Sequence, residues 1–259
     1  MRRLNTVASA VLLAAGTLAA FEAGTQEQKA APAEPASSKP ILVPVDDEAR
    51  GDIFMARKMY REAAEVYARI KPQTAIHLNK TGIAYHQMGD LDMAKRYYER
   101  SIKLNKTYAE ALNNLGAVWY AKKSYRRAVT FYQRALKLHP NSASMHSNLG
   151  TALFARKKYE EAAKEYQIAV DLDPDVFDHR STQGVLLQER TVEERAKFNY
   201  YLAKTYAKKG MADRALLCIR KALEFGFKDK AKFMEEDDFE SLRKLPEFAD
   251  LMKLEPRVL

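Results

Sequence analysis

The middle of this sequence repeats itself every 34 residues, and this period limits the folds available to the chain. Glycine recurs at that spacing, and so do an alanine and a tyrosine: Gly82, Gly116, Gly150, Ala94, Ala128, Ala162, Tyr98, Tyr132 and Tyr166. The apolar residues between them are three and four positions apart, which places them on one face of a helix. Such a period predicts helical hairpins that stack side by side and bury their apolar faces on one another.

Two consecutive units carry further residues of one signature. These are Leu115, Gly116, Trp119, Ala128, Tyr132, Ala135 and Pro140 in the first unit, and Leu149, Gly150, Ala162, Tyr166, Ala169 and Pro174 in the second. The pattern resembles the tetratricopeptide repeat, W-x2-L-G-x2-Y followed by A-x3-F, a second alanine and a proline. His146 and Lys106 depart from it. The resemblance implies an all-α, right-handed superhelical solenoid of helix-turn-helix repeats.

The period also predicts how the chain is divided. Repeat units are expected at 46–72, 75–108, 109–142, 143–176 and 196–229, the first of them degenerate, with an insertion at 177–195 and capping helices at 230–259. Thr191 and Glu194 have the spacing of a capping box, which predicts the start of a helix. The apolar residues Phe239, Leu242 and Phe248 suit a cap over the last hairpin, because solenoids need such caps for solubility.

The N-terminal residues have the composition of an export signal. Residues 1–23 combine Arg2 and Arg3 with an apolar run and small residues, the features of a secretory signal peptide. The Ala- and Pro-rich stretch 24–45 predicts a disordered linker. Cys218 is the only cysteine, so no disulfide can form within the chain. We expect a periplasmic or secreted protein, or one tethered to the inner membrane if the segment is not cleaved.

The sequence contains no recognisable catalytic constellation. Its five histidines lack metal-ligand spacing, and neither a phosphate-binding loop nor a nucleophile elbow is present. We therefore predict a non-enzymatic protein without cofactor or metal. The insertion at 177–195 is the one segment that keeps an enzymatic alternative open. The formal charge of +9 is spread along the chain, which is typical of an ordinary solvated surface and also compatible with anionic partners.

The resemblance also implies a binding site. In this family the first helices of successive hairpins line a concave groove that holds an extended or helical segment of another protein. The residues that this arrangement places in the groove are Asn79, Lys80, Asn113, Asn114, Tyr120, Asn148, Thr151, Phe154, Tyr200, Tyr201 and Lys204. Asn114 and Asn148 are one period apart, so we expect them in register. Their amides could pair with a peptide backbone, although an exposed polar helix face would explain two asparagines equally well.

One specialised mode of recognition is not expected. The family's carboxylate-binding clamp needs a lysine and an asparagine in one repeat and basic residues two repeats later. Ile83 and Thr151 occupy positions where the clamp would have its second asparagine. We therefore do not expect this chain to recognise a C-terminal carboxylate.

Basic residues surround the turns inside two successive hairpins. They are Lys122, Lys123, Arg126, Arg127, Arg156, Lys157 and Lys158. Turns at the same repeat position lie along one edge of a solenoid, so the alternative to a groove-binding adaptor is an envelope assembly or localisation factor. Such a factor would use the basic edge to bind an anionic membrane surface or an acidic partner. A solubilising rim is the simpler explanation, and export argues against nucleic acid as a partner.

Overall fold

The computed structural model describes residues 46 to 177 and 191 to 254. Five consecutive helix pairs are followed by a 3₁₀ turn and three short helices. The helices are α1 Asp47–Ala56, α2 Tyr60–Arg69, α3 Ala75–Gln87, α4 Leu91–Leu104, α5 Ala109–Ala121, α6 Tyr125–Leu138, α7 Ala143–Ala155, α8 Tyr159–Leu172, α9 Val192–Lys208, α10 Ala212–Glu224, α11 Ala231–Glu235, α12 Glu240–Arg243 and α13 Pro246–Lys253, with the 3₁₀ turn at Asp237–Phe239. The predicted signal peptide, the linker and positions 178–190 of the predicted insertion lie outside the described residues.

From α1 to α10, each helix packs on the next one along the chain. The first helix of a hairpin contacts its own second helix, and that second helix contacts the first helix of the following hairpin. The first helices also contact each other directly, α3 with α5 and α5 with α7. This confirms the all-α repeat solenoid that the 34-residue period predicts.

The small-residue and aromatic columns meet inside each hairpin. Tyr98, Tyr132 and Tyr166 are completely buried, and each ring lies against the glycine of the preceding helix. A Cβ atom on Gly116 would stand 2.7 Å from the ring carbon Cε1 of Tyr132, closer than van der Waals contact allows. Glycine is therefore required at this position because the tyrosine ring occupies the space of a side chain.

The tyrosine hydroxyl reaches the residue that follows the glycine, and this residue differs between repeats. In the first hairpin the Tyr67 hydroxyl donates to Asp52 at 2.5 Å. Ala117 stands at the corresponding position of the third hairpin, and the buried Tyr132 hydroxyl has no hydrogen-bond partner there among the described residues. The repeated fold thus keeps the ring in every unit and supplies the hydroxyl with a partner in only some of them.

The turns inside the hairpins need one residue in the left-handed backbone region. Glycine fills this position at Gly89 and Gly210, with φ of 80° and 71°. Lysine fills it at Lys58, Lys123 and Lys157, with φ between 57° and 62°. A side chain makes this conformation unfavourable by roughly 1–2 kcal/mol, so these lysines stand where glycine would cost less.

The last repeat begins with the predicted capping box. Thr191 and Glu194 exchange hydrogen bonds between side chain and backbone, each 3.2 Å long. Residues 192–195, which the period assigns to the insertion, therefore belong to α9, because the box starts the helix four residues earlier. Phe177 lies at the beginning of the predicted insertion, and its ring packs on Tyr166 and Phe198 between α8 and α9.

The C-terminal segments cover the open end of the last hairpin, as the sequence predicts. The 3₁₀ turn contacts α9, and α13 contacts α10. The apolar residues that the C-terminal segments bury are Phe233, Phe239, Leu242, Phe248 and Leu251, each no more than 3% exposed. The cap therefore supplies the apolar surface that a further repeat would otherwise provide.

The two tyrosine environments predict opposite effects for one chemical change. Tyr67→Phe removes a hydroxyl bonded to a carboxylate and should lower the free energy of unfolding by about 1 kcal/mol. Tyr132→Phe removes a buried hydroxyl without a partner and should leave stability unchanged or raise it. Denaturant unfolding of the two variants measures this difference; equal losses would contradict the hydrogen-bond assignment.

Candidate functional site

A cleft of about 250 Å³ opens on the side of the solenoid formed by the first helices α3, α5 and α7. Residues of these helices and of the junctions between repeats line it: Ile76, Asn79, Lys80, Ile83, Tyr108, Glu110, Asn113, Asn114, His139, Ser142, Ser144 and Met145. Apolar side chains, amides and hydroxyls are mixed in this lining. The cleft spans three repeats, so it could hold a chain segment that runs across them.

Four asparagines at this cleft form one hydrogen-bonded chain, which we call the asparagine ladder. The Asn148 amide donates to the Asn113 carbonyl oxygen at 3.0 Å, and the Asn114 amide donates to that of Asn79 at 3.0 Å. The adjacent Asn113 and Asn114 are joined at 3.5 Å. All four side chains are at most 8% exposed. The ladder therefore links α3, α5 and α7 through bonds that water cannot easily replace.

The ladder corrects the expected arrangement of the asparagine row. Asn114 and Asn148 are one period apart in the sequence, but each bonds to a residue 35 positions before it rather than to the other. The amides expected to face a peptide are largely used between repeats.

At the N-terminal end of the cleft Lys80 is held by carboxylates of the first hairpin. Its ammonium lies 2.8 Å from Glu48 and 2.8 Å from Asp52. Hydrogen bonds from Lys80 and His77 hold the pKa of Glu48 below its ordinary value. At Asp52, burial acts to raise the pKa of the carboxyl. The hydrogen bonds from Lys80 and Tyr67 outweigh burial, so the pKa of Asp52 also lies below its ordinary value. Lys80 thus joins two repeats and is not a free charge for a ligand.

At the C-terminal end the cap covers two residues predicted for the groove. Tyr200 is 3% exposed, and its hydroxyl donates to Glu236 at 2.5 Å. Burial and this contact raise the pKa of Tyr200 well above its ordinary value. The Lys204 ammonium lies 3.0 Å from Glu236 and 3.1 Å from Asp238. Both side chains therefore hold the cap in place, a role the sequence analysis missed because their partners are more than 30 residues away.

The remaining aromatic groove residues pack with neighbours of the same or the next hairpin. Tyr120 contacts Tyr125 with ring centroids 5.2 Å apart. Phe154 is buried, and its ring lies 6.3 Å from that of Tyr201, which is partly exposed. Thr151 is buried and accepts a long hydrogen bond of 3.5 Å from the hydroxyl of the tyrosine in its own hairpin. Of the aromatic groove residues, Tyr120 and Tyr201 are the partly exposed ones.

The sequence analysis missed several residues of the cleft. Tyr108 is half-buried there, where burial and the nearby Glu110 raise its pKa. Glu110 pairs with His139, with 3.5 Å between carboxylate oxygen and ring nitrogen. These residues lie at or beside the junctions between one hairpin and the next. Tyr108 and Glu110 stand at the start of a first helix and His139 at the end of a second helix; this was the available signal, since junctions at equivalent positions fall on the same side.

The basic edge is partly neutralised. Lys122 lies 2.6 Å from Asp92, and Lys158 lies 2.7 Å from Glu161. The Arg127 guanidinium stands 4.5 Å above the ring centroid of Trp119 in α5. Within the described part of the chain, the residues of this edge without an acidic partner are Lys123, Arg126, Arg127, Arg156 and Lys157. The structure thus replaces a continuous ridge by a smaller group of unpaired cations.

Within 46–177 and 191–254, no group of three or more His, Cys, Asp or Glu side chains is arranged to hold a metal ion. Over the same ranges, none of the helices has the length and apolarity needed to cross a membrane.

The fold and the cleft define a helical-repeat protein of the interaction type. Sequence models of the tetratricopeptide repeat match residues 47–107, 79–143 and 124–176, and the chain belongs to this family. Proteins of this family are protein–protein interaction scaffolds, and they are generally non-enzymatic.

Solved structures with similar folds are known. MamA aligns with 70% of this chain and 96% of its own at 23% identity and a TM-score of 0.48. MamA from Desulfovibrio magneticus RS-1 aligns with 71% and 94% at 22% identity and a TM-score of 0.49. YrrB, a TPR protein with an unusual peptide-binding site, aligns with 51% and 69% at 19% identity and a TM-score of 0.45. No curated protein sequence matches this chain.

The ladder predicts that its central residue stabilises the stack. Asn113→Ala removes the acceptor of Asn148 and a donor to Asn114 at a buried site, so it should lower the free energy of unfolding by about 1–3 kcal/mol. Asn141→Ala changes an exposed asparagine in a junction and should alter stability by less than about 0.5 kcal/mol. Urea unfolding of both variants tests this; indistinguishable curves would show that the ladder adds nothing.

Proposed function

We propose that this protein captures a segment of another protein in the cleft between α3, α5 and α7, and that it acts as an adaptor without enzymatic activity. The observation that carries the proposal is the cleft itself, which crosses three repeats and mixes apolar with hydrogen-bonding groups. A segment lying across the first helices would contact all three repeats. This mode of recognition also fits the family to which the chain belongs.

The apolar groups of the cleft supply the main contact in this proposal. Ile76 is 49% exposed at its edge, and Ile83 and Met145 lie within it. Covering exposed aliphatic surface is favourable by about 25 cal/mol per Å² of area removed from water. An apolar side chain of the partner would therefore anchor the segment, and Tyr108 and the amide edges would orient it.

The asparagines have a secondary part in this mechanism. Each side-chain amide carries two N–H groups, and the ladder uses one from each of its donors. A change in Asn113 or Asn114 would disturb stacking as well as binding. A test of the cleft should therefore avoid the ladder and use the exposed aliphatic edge.

Site-specific crosslinking in intact cells tests the cleft. A photo-reactive amino acid at Ile76 should capture a discrete partner, because that side chain borders the cleft. The same amino acid at Leu217, which is 48% exposed on the second helix α10, provides a control of equal exposure on another surface. Identical adducts from both positions, or adducts from Leu217 alone, would refute binding in the cleft.

We propose further that this scaffold works outside the cytoplasm, either released or tethered by its N-terminal segment. The support is the sequence of residues 1–23, which joins Arg2 and Arg3 to an apolar run. A phosphatase that is active only after export, fused after residue 45, should be active in cells. Leu12→Arg interrupts the apolar run and should abolish that activity; full activity of the variant would contradict export by this segment.

A further inference from the structure

A second recess, of about 650 Å³, lies at the turns inside the third and fourth hairpins, and we call it the basic pocket. It is lined by Lys123, Ser124, Tyr125, Arg126, Arg127 and Arg156. Four of these six residues are cationic and none is acidic. The residues come from two adjacent repeats, so stacking of the hairpins creates the pocket.

Within the described part of the chain, the cations of the pocket form no ion pairs with acids. This holds for all four of them, Lys123, Arg126, Arg127 and Arg156, of which Arg127 stacks on the tryptophan ring. Asp92 of the second hairpin pairs with Lys122, which precedes Lys123 in the same turn, and Glu161 pairs with Lys158 in the turn of the fourth hairpin, so each acid neutralises a lysine outside the lining. The pocket therefore keeps a local positive potential within a mixed surface.

The start of α6 adds to this potential. Among the second helices that the structure describes, α2, α4, α8 and α10 each have an acid in the first turn, whereas α6 has none. Arg126 and Arg127 stand there instead, and no side chain caps the exposed N–H groups. Cations at this end of a helix are unfavourable because the helix dipole is positive there. The arrangement thus costs stability unless a negative group is bound.

The turn before α6 also carries a lysine in a backbone region that favours glycine. Lys123 adopts a φ of 57°, while its equivalent one repeat earlier is Gly89. Lysine in the left-handed region costs free energy that glycine would avoid. Lys58 and Lys157 adopt the same conformation at their own turns, so the turn tolerates lysine, and Lys123 contributes to the pocket through its charge.

We infer that the basic pocket binds an acidic, Asp- or Glu-rich segment of a partner protein. Guanidinium groups match carboxylates with two parallel hydrogen bonds, and Arg126, Arg127 and Arg156 supply three of them. The recess spans two repeats, which suits several side chains of a peptide better than a single small anion. Its cations line a recess at two turns, which favours a protruding segment over a flat membrane surface.

This site is separate from the cleft. The cleft lies by the beginning of α5 and the basic pocket follows its end, and 13 residues of helix span about 20 Å. A partner could contact both, but neither site needs the other. Failure of one proposal therefore leaves the other open to its own test.

The experiment measures binding of a fluorescent eight-residue peptide of alternating Asp and Glu to the full chain. Arg126→Gln combined with Arg156→Gln should weaken binding about tenfold, since two charge pairs are lost. Lys103→Gln combined with Lys106→Gln removes the same charge from exposed positions at the other end of a hairpin and should leave binding unchanged. A peptide of alternating Asn and Gln should not bind.

A single variant separates binding from folding. Arg126→Glu places an acid at the start of α6, so it should raise the melting temperature and abolish peptide binding. A structural role for the arginine would predict the opposite change in melting temperature.

Three results would overturn the inference. They are equal weakening in both double variants, unchanged binding by Arg126→Glu, and preference for inorganic phosphate or for vesicles of anionic lipid over the acidic peptide. The first would indicate attraction by net charge alone, and the last would assign the pocket to a different ligand.

Discussion

The contact between a tyrosine ring and a glycine of the preceding helix sets the geometry on which the rest of this structure depends. Because Gly116 has no side chain, the Tyr132 ring can lie against the backbone of α5 and fix the distance between the two helices. The same contact recurs one period earlier and one period later. It places successive first helices side by side, close enough for the asparagine ladder to form. A larger residue at the glycine would separate the helices and so disturb both the core and the ladder.

The stacking contacts explain which polar groups remain for a ligand. Asn113 and Asn148 are polar and lie on the first-helix side, yet their hydrogen bonds join repeats. At the ends of the solenoid the same applies to Lys80, held by the first hairpin, and to Lys204, held by the cap. Buried polar groups are stable only when paired, so a stack of repeats uses them internally first. What the cleft offers a partner is then aliphatic surface, with Ile76 at its edge, beside polar groups at the junctions such as Tyr108.

The basic pocket differs from the cleft, because two of its residues make the fold less stable than other residues at the same positions would. Arg126 opposes the dipole of α6, and Lys123 occupies a backbone region that suits glycine. The preceding repeat carries Asp92 and Gly89 at the equivalent positions, and the following repeat carries Glu160 but again a lysine, Lys157, in the turn. Because the repeats share one fold, this comparison separates what stacking requires from what it does not. The cleft and the pocket are thus identified by different kinds of evidence. The cleft contains groups that stacking leaves unused, and the pocket contains groups that are unfavourable for the stability of the repeat.

The sequence by itself determined the helices, their pairing, the start of α9 at Thr191 and the helical cap, because these depend on local spacing and on a period that places residues such as Gly150 and Tyr166 in contact. Only the tertiary structure decided which predicted groove residues are available. A period specifies the face of a helix on which a residue lies, but not the side chain it meets on the next helix. Asn114 therefore bonds to a residue 35 positions away rather than 34, and Tyr200 bonds to Glu236 in a cap that lies outside the period. Neighbouring helices are offset along their axes, and that offset is a property of packing.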